Sequence, residues 1–157
     1  MENKKLSQKY LLIISCSQRK KKVKGKVRAW DLYDGVVFRM LKKIEREKGL
    51  PKNLDILILS AKYGFLRPND FIEYYDHRLT KEDIKRKKKF FLLGLKQRIK
   101  NDSISTVFVC LGKDYLAGIN SFEKLFYNEM RFIFANGGIG KKMSQLKNWL
   151  LNMEYNI

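Results

Sequence analysis

One histidine, two cysteines and two prolines in 157 residues leave few of the side chains from which the commoner catalytic and metal sites are built. Cys16 and Cys110 stand far apart with no C-x-x-C spacing, which argues against a disulfide framework and a thiolate zinc site. His77 is alone of its kind, so a multi-histidine metal cage is excluded. Long apolar runs are missing too. The stretches at 11–14 and 90–93 fall far short of the roughly 18 residues that a bilayer span needs, so no membrane partner is expected. The chain opens on charged and polar residues without the apolar segment of a secretory signal, and a cytoplasmic protein is expected.

Acids are scarce as well. Sixteen Asp and Glu face 34 Lys and Arg, a formal balance of +18. A field of that sign concentrates polyanions at the surface, and nucleic acid, DNA before RNA, is the expected partner. Adaptation to high temperature enriches both signs together, whereas here the basic side dominates about two to one. With 45% apolar and 13% aromatic residues the chain can still build a core, so one domain over residues 1–157 is expected.

Residues 10–15 read as a buried strand, and residues 54–59, 104–111 and 130–135 as three more. Apolar residues at three- and four-residue spacing predict helices over 31–48, 81–100, 114–127 and 140–153. Thr80 and Asp83 form a capping arrangement for the second of these. Strands alternating with helices predict an α/β fold: a single three-layer domain, its four-stranded, mostly parallel sheet covered by helices on both faces. The tract 19–28 holds seven cations in ten residues with no helical stripe, and reads as a mobile loop rimming the ligand cleft. The run 85–89 is continuous cation on a helix.

In such sheets the ligand lies at the carboxyl ends of the strands. That rule singles out Ser15, Cys16, Ser17, Arg19 and Lys20 after the first strand, and Ser60, Lys62, Tyr63 and Gly64 after the second. After the third and fourth it singles out Gly112, Lys113, Asp114, Asn136, Gly137, Gly138, Gly140 and Lys141. Small residues beside a lysine suit a phosphate cradle, and an ordinary strand-to-helix turn is the competing reading. The glycine pattern at 135–142 fits neither a P-loop, since Ala135 and Lys142 break it, nor a dinucleotide fingerprint.

Cys16 has two readings, a nucleophile activated by nearby cations or an inert thiol at a strand end. Asp31, Asp34, Glu82, Asp83 and Asp114 lie where a helix dipole favours acids without any chemistry. Glu73 and Asp76 escape that explanation, and either could activate water or hold a divalent magnesium or manganese ion. His77 beside them is a candidate proton carrier or an incidental loop residue.

The ordered blocks S-C-S-x-x-K from Ser15, A-x-D-L-Y-D-G-x-x-F from Ala29 and L-S-A-K-Y-G-F-L-x-P from Leu59 continue with three more. These are I-x-Y-Y-D-x-x-L from Ile72, G-K-D-Y from Gly112 and G-I-G-K-K from Gly138. Together they resemble the peroxide-stress YaaA-like domains of unknown function, with Glu73-Tyr74 where that pattern has a proline. The resemblance implies Ser17, Lys20, Tyr33, Ser60, Lys62, Tyr63, Gly64, Tyr75 and Asp76 as site positions. The opening block is also similar to the uracil-DNA-glycosylase-like domain of archaeosine synthases, which implies a nucleobase-handling fold. Size, lysine content and Ile-rich strands resemble small nucleases of filamentous viruses of thermophilic archaea, which implies a host-cytoplasmic DNA hydrolase with an essential carboxylate.

The expected function is a nucleic-acid-processing hydrolase, a DNA nuclease first. Lys20, Lys62 and Lys113 would bind phosphates, Asp76 or Glu73 would activate water or hold the ion, and Tyr63 or Tyr75 would stack on a base. Glycosidic-bond chemistry on a base or nucleoside, and binding without catalysis, are the alternatives.

Overall fold

A computed structural model describes residues 8–99, 103–119, 124 and 130–154. In chain order the elements are β1 (Lys9–Ser15), β2 (Lys26–Arg28), α1 (Ala29–Leu32), α2 (Val36–Lys48), β3 (Leu54–Ser60), β4 (Gly64–Leu66) and β5 (Phe71–Glu73). Then follow α3 (Lys81–Ile99), β6 (Ile104–Cys110), α4 (Lys113–Gly118), β7 (Arg131–Phe134) and α5 (Ile139–Glu154).

Leu11, Leu12, Ile13 and Ile14 are each exposed by 1% or less, and four consecutive buried residues need cover on both faces and both edges. β1 has all of it. β3 and β6 flank it in parallel, β7 extends the sheet in parallel beyond β6, and β4 folds back antiparallel on β3. The sheet order is β4-β3-β1-β6-β7. Alternate residues of β1 feed two cores. Leu12 and Ile14 meet Phe38 and Leu41 of α2 and Leu146 and Leu150 of α5, whereas Leu11 and Ile13 share a cluster with Phe91 and Leu95 of α3. Helices therefore lie on both faces.

The fold is α/β and mostly parallel, but it departs from the expected four-stranded, three-layer arrangement. The main sheet is mixed and has five strands, and β2 and β5 form a separate antiparallel ribbon. β4 reaches only Ile58 to Ser60, so among the described residues no strand pairs with the outer edge of Leu54 to Leu57.

Residues 31–48 are two helices, not one. Tyr33 leaves the helical region at φ −76°, ψ 133° to send its side chain into the core, and Gly35 caps α2. The basic tract at 19–28 is not a free loop either. Lys20 bridges to Tyr33, the Lys21 N–H donates to the Leu32 carbonyl at 2.8 Å, and β2 zips onto β5. The predicted cap of α3 forms as a reciprocal pair: the Asp83 N–H donates to Thr80 Oγ1 and the Thr80 N–H to Asp83 Oδ2, both at 3.1 Å. Of the helix expected over 114–127, residues 120–123 and 125–127 lie outside the described residues, as does Lys100 at the end of the preceding one. No helix among the described residues is long and apolar enough to cross a membrane.

Phe91 is fully buried and packs on Gly118, where an added Cβ would sit 3.4 Å from its ring. Phe91→Ala should therefore destabilise the fold by about 3–5 kcal/mol, read as a lower urea midpoint at unchanged slope.

Candidate functional site at the head of the central strands

The chain runs outward from β1 to β3 on one side and to β6 on the other, so the sheet has its topological switch between β1 and β6. Side chains leaving those two strand ends diverge around a crevice. It is a cleft of about 210 Å³, lined by residues 15–18 and Lys20 after β1, residues 112–115 after β6, and His77, Arg78 and Leu79 from the segment before α3. Lys20, Arg78 and Lys113 supply its positive charge, and Asp114 is its one acid among the described residues.

Cys16 sits at the back of this cleft, half-buried, with its Sγ 2.9 Å from the Tyr115 hydroxyl. Tyr115 comes from the first turn of α4, and burial pushes its ionisation far above the usual phenol range, so it meets the thiol as a neutral hydroxyl. Ser17 is occupied in holding the loop. Its hydroxyl donates to the Arg19 carbonyl at 2.6 Å and accepts the Gly35 N–H at 3.1 Å. A Cβ on Gly35 would lie 2.5 Å from that of Ser17, so only glycine admits this approach.

Beside the cleft runs a chain of buried hydroxyls. The Tyr33 and Tyr75 hydroxyls are 2.6 Å apart, and Tyr75 is 2.9 Å from Ser60 Oγ, which also accepts the N–H groups of Lys62 and Tyr63 at 3.2 and 3.1 Å. Desolvation raises the pKa of both tyrosines well beyond the phenol range. The outer side of Tyr75 carries charge: the Lys20 ammonium stands 4.5 Å from its ring centre and the Lys62 ammonium 5.9 Å, with Tyr63 edge-on at 5.5 Å.

His77 is anchored by Asp83, Nε2 to Oδ2 at 3.2 Å, and Arg86 holds the other oxygen at 2.6 Å. The backbone N–H of Thr80 draws the Asp83 carboxyl below its usual range, against the opposing effect of burial. Asp83 is thus a fixed anion that orients the imidazole in the cleft wall.

The predicted residues divide. Ser17, Lys20 and Lys113 line the cleft, and Tyr33, Ser60, Lys62, Tyr63 and Tyr75 form the adjoining cluster. Gly64 shapes the end of that loop at φ +76°. Glu73 and Asp76 are exposed and do not line the cleft, Glu73 standing in register with Lys26. Among the described residues no three His, Cys, Asp or Glu gather as a metal-ligand set. Gly138, Gly140 and Lys141 are exposed and also lie off the cleft, because β7 is the edge strand, two places from β1. Lys142, not Lys141, turns back, donating to the Leu111 carbonyl at 2.8 Å. Arg78, Tyr115 and the Asp83 anchor escaped the sequence reading, although Tyr115 stands in the G-K-D-Y block that follows β6.

A larger cavity of about 510 Å³ opens at the opposite, amino-terminal end of the strands. Two of its arginines are neutralised internally, Arg28 by Asp31 and Arg98 by Asp70. The smaller cleft brings three cations together with the Cys16 thiol and the His77 imidazole, and is the candidate site.

Tyr75→Phe leaves the hydroxyls of Tyr33 and Ser60 without their shared partner while keeping the ring under Lys20. It should cost about 1–3 kcal/mol in chemical denaturation. Because the Asp83 pKa is lower folded than unfolded, its contribution is present above the ordinary carboxylate range and drains away as pH falls through the depressed value. Acid titration of the melting temperature should show this loss, and Asp83→Asn should flatten that part of the curve.

The chain is similar in fold to a crystal structure of AF0587, a protein of unknown function, at a TM-score of 0.56 and 12% sequence identity. The likeness covers 92% of this chain and 45% of that one, so the chain spans less than half the length of the neighbour it matches. No curated protein matches it. A family model matches residues 11–148, from the first core residue of β1 into α5. The chain belongs to DUF6884, a family of unknown function.

Proposed function

We propose that this protein is a nucleic-acid-processing hydrolase, a nuclease acting on DNA before RNA, that admits one nucleotide of its substrate to the cleft between β1 and β6. One observation carries the reading: Lys20, Arg78 and Lys113, from three separate stretches, line a single small cleft with an imidazole braced by a buried carboxylate. The three cations suit a phosphate, whose charge rises toward the transition state of phosphodiester cleavage. His77 would move the proton of water or of the leaving oxygen, with Asp83 holding the ring in place. The resemblance to small archaeal-virus nucleases favours this reading and that to the glycosylase-like domain favours contact with bases, whereas the YaaA-like resemblance, to domains of unknown function, implies site positions and no reaction.

Glu73 and Asp76 change role here. As exposed side chains off the cleft they do not form a metal cage, and a magnesium or manganese ion would have to be shared with substrate phosphates. Glycosidic-bond chemistry is the second reading, favoured by the cleft's size: about 210 Å³ suits one flipped-out nucleoside better than a strand.

Incubation with linear single-stranded DNA, duplex DNA and tRNA, with and without EDTA, separates these readings. Shortened strands on a gel are expected, with His77→Gln and Lys113→Ala each slowing cleavage about 100-fold or more. Released bases with intact strands would replace nuclease by glycosidic chemistry. Salt-sensitive binding without turnover under every condition would leave a binding protein and overturn the enzyme.

A further inference from the structure

α3 buries Ile84, Phe91, Leu95 and Ile99 along one stripe, which fixes what the opposite side shows to solvent. That side carries Lys85, Lys89, Lys96 and Arg86, the last paired with Asp83, all exposed, and in their midst two large apolar side chains three residues apart. Phe90 is 52% exposed and Leu93 60%. A scattered surface leucine needs no account. A half-exposed ring flanked by cations, on a helix whose apolar stripe is already satisfied elsewhere, is a different matter.

Phe90 does not dangle. Its ring atoms come within 2.7 and 3.0 Å of where a Cβ on Gly64 would stand, so the ring lies over the bare backbone of that glycine. Gly64 closes the corner that carries Lys62 and Tyr63, and Lys87 ties α3 to the same corner by donating to the Ala61 carbonyl at 2.8 Å. The ring is thus supported beneath and wet above, and it continues the rim that runs from Lys20 through Tyr75, Lys62 and Tyr63. Supported rings set in a row of cations match single-stranded nucleic acid. Phosphates follow the cations and unpaired bases offer their faces to the rings, whereas a duplex keeps those faces stacked inside. An amphipathic membrane helix needs a broad apolar face, and α3 has spent its own on the core.

We propose that the solvent face of α3 is a track for single-stranded nucleic acid, with Phe90 as a base-stacking platform leading toward the cleft. The proposal rests on the nucleic-acid reading of the preceding section, and binding tests it apart from turnover. Anisotropy titrations with a labelled 20-nucleotide oligothymidylate and a 20-base-pair duplex would compare wild type with Phe90→Ala, Phe90→Leu, Phe90→Trp and Lys89→Ala over a range of salt. Phe90→Ala and Phe90→Leu should each weaken single-strand binding about tenfold with the salt slope unchanged, and Phe90→Trp should restore it. Lys89→Ala should lower the slope by about 0.7 and weaken single strand and duplex alike. Full affinity in Phe90→Leu would refute stacking, as would an equal loss on the duplex. Loss of binding to phosphatidylserine vesicles in Phe90→Ala, with oligonucleotide binding intact, would reassign the face to membranes and overturn the proposal. Turnover without a Phe90 effect would sink this track alone, and a Phe90 effect without turnover would sink only the hydrolase.

Discussion

The Tyr75 hydroxyl ties the β2–β5 ribbon and its flanking segments to the end of β3, a strand that does not pair with that ribbon. A hydroxyl taken out of water without a partner costs on the order of 1–3 kcal/mol, so three of them buried together must find one another. Tyr33 enters from the end of α1, Ser60 from the end of β3, and Tyr75 from the segment after β5. Satisfying them pulls the segment that carries His77 toward the heads of the strands. The same tyrosine shows its ring to Lys20 and Lys62, so one residue links the packed interior to the charged rim.

Charge is partitioned rather than spread. Four of the carboxylates are committed to arginines: Asp31 to Arg28, Asp34 to Arg39 and Asp70 to Arg98 on the surface, and the buried Asp83 to Arg86. Exposed pairs of this kind contribute little stability. Their effect is on the field: they neutralise arginines away from the cleft, and Lys20, Arg78 and Lys113, which line it, are not among the cations so paired.

The parts of the fold that the sequence discloses are those with local signals. β1, β3, β6 and β7 are apolar runs, and α3 and α5 have stripes of the right period, so each lies close to its predicted span, while α2 keeps the predicted end and starts five residues later. β2, β4 and β5 are three residues long and owe their existence to distant pairing, which leaves no periodicity to read. The site divides along the same line. Strand-end logic finds Ser17, Lys20 and Lys113, because β1 and β6 bound the switch. Applied to the edge strand β7, the same rule points to Gly138, Gly140 and Lys141, about two strand spacings, roughly 10 Å, from β1. Glu73 and Asp76 were singled out by elimination among acids, and elimination carries no direction in space. Asp83, assigned to helix capping, does cap α3 and also grips His77, two duties that spacing alone could not separate.

The partial reach of β4 leaves Leu54 to Leu57 with a bare border, the sort of ledge onto which a stray extended chain can be laid. Asp55 puts a charge on that ledge, bridged at 2.9 Å to Lys9 of the neighbouring β1, and residues 67–70 face the same stretch across the larger cavity. A charged side chain on an uncovered edge strand disfavours the addition of a further strand, so a single acid can do there what a longer β4 would otherwise have to do.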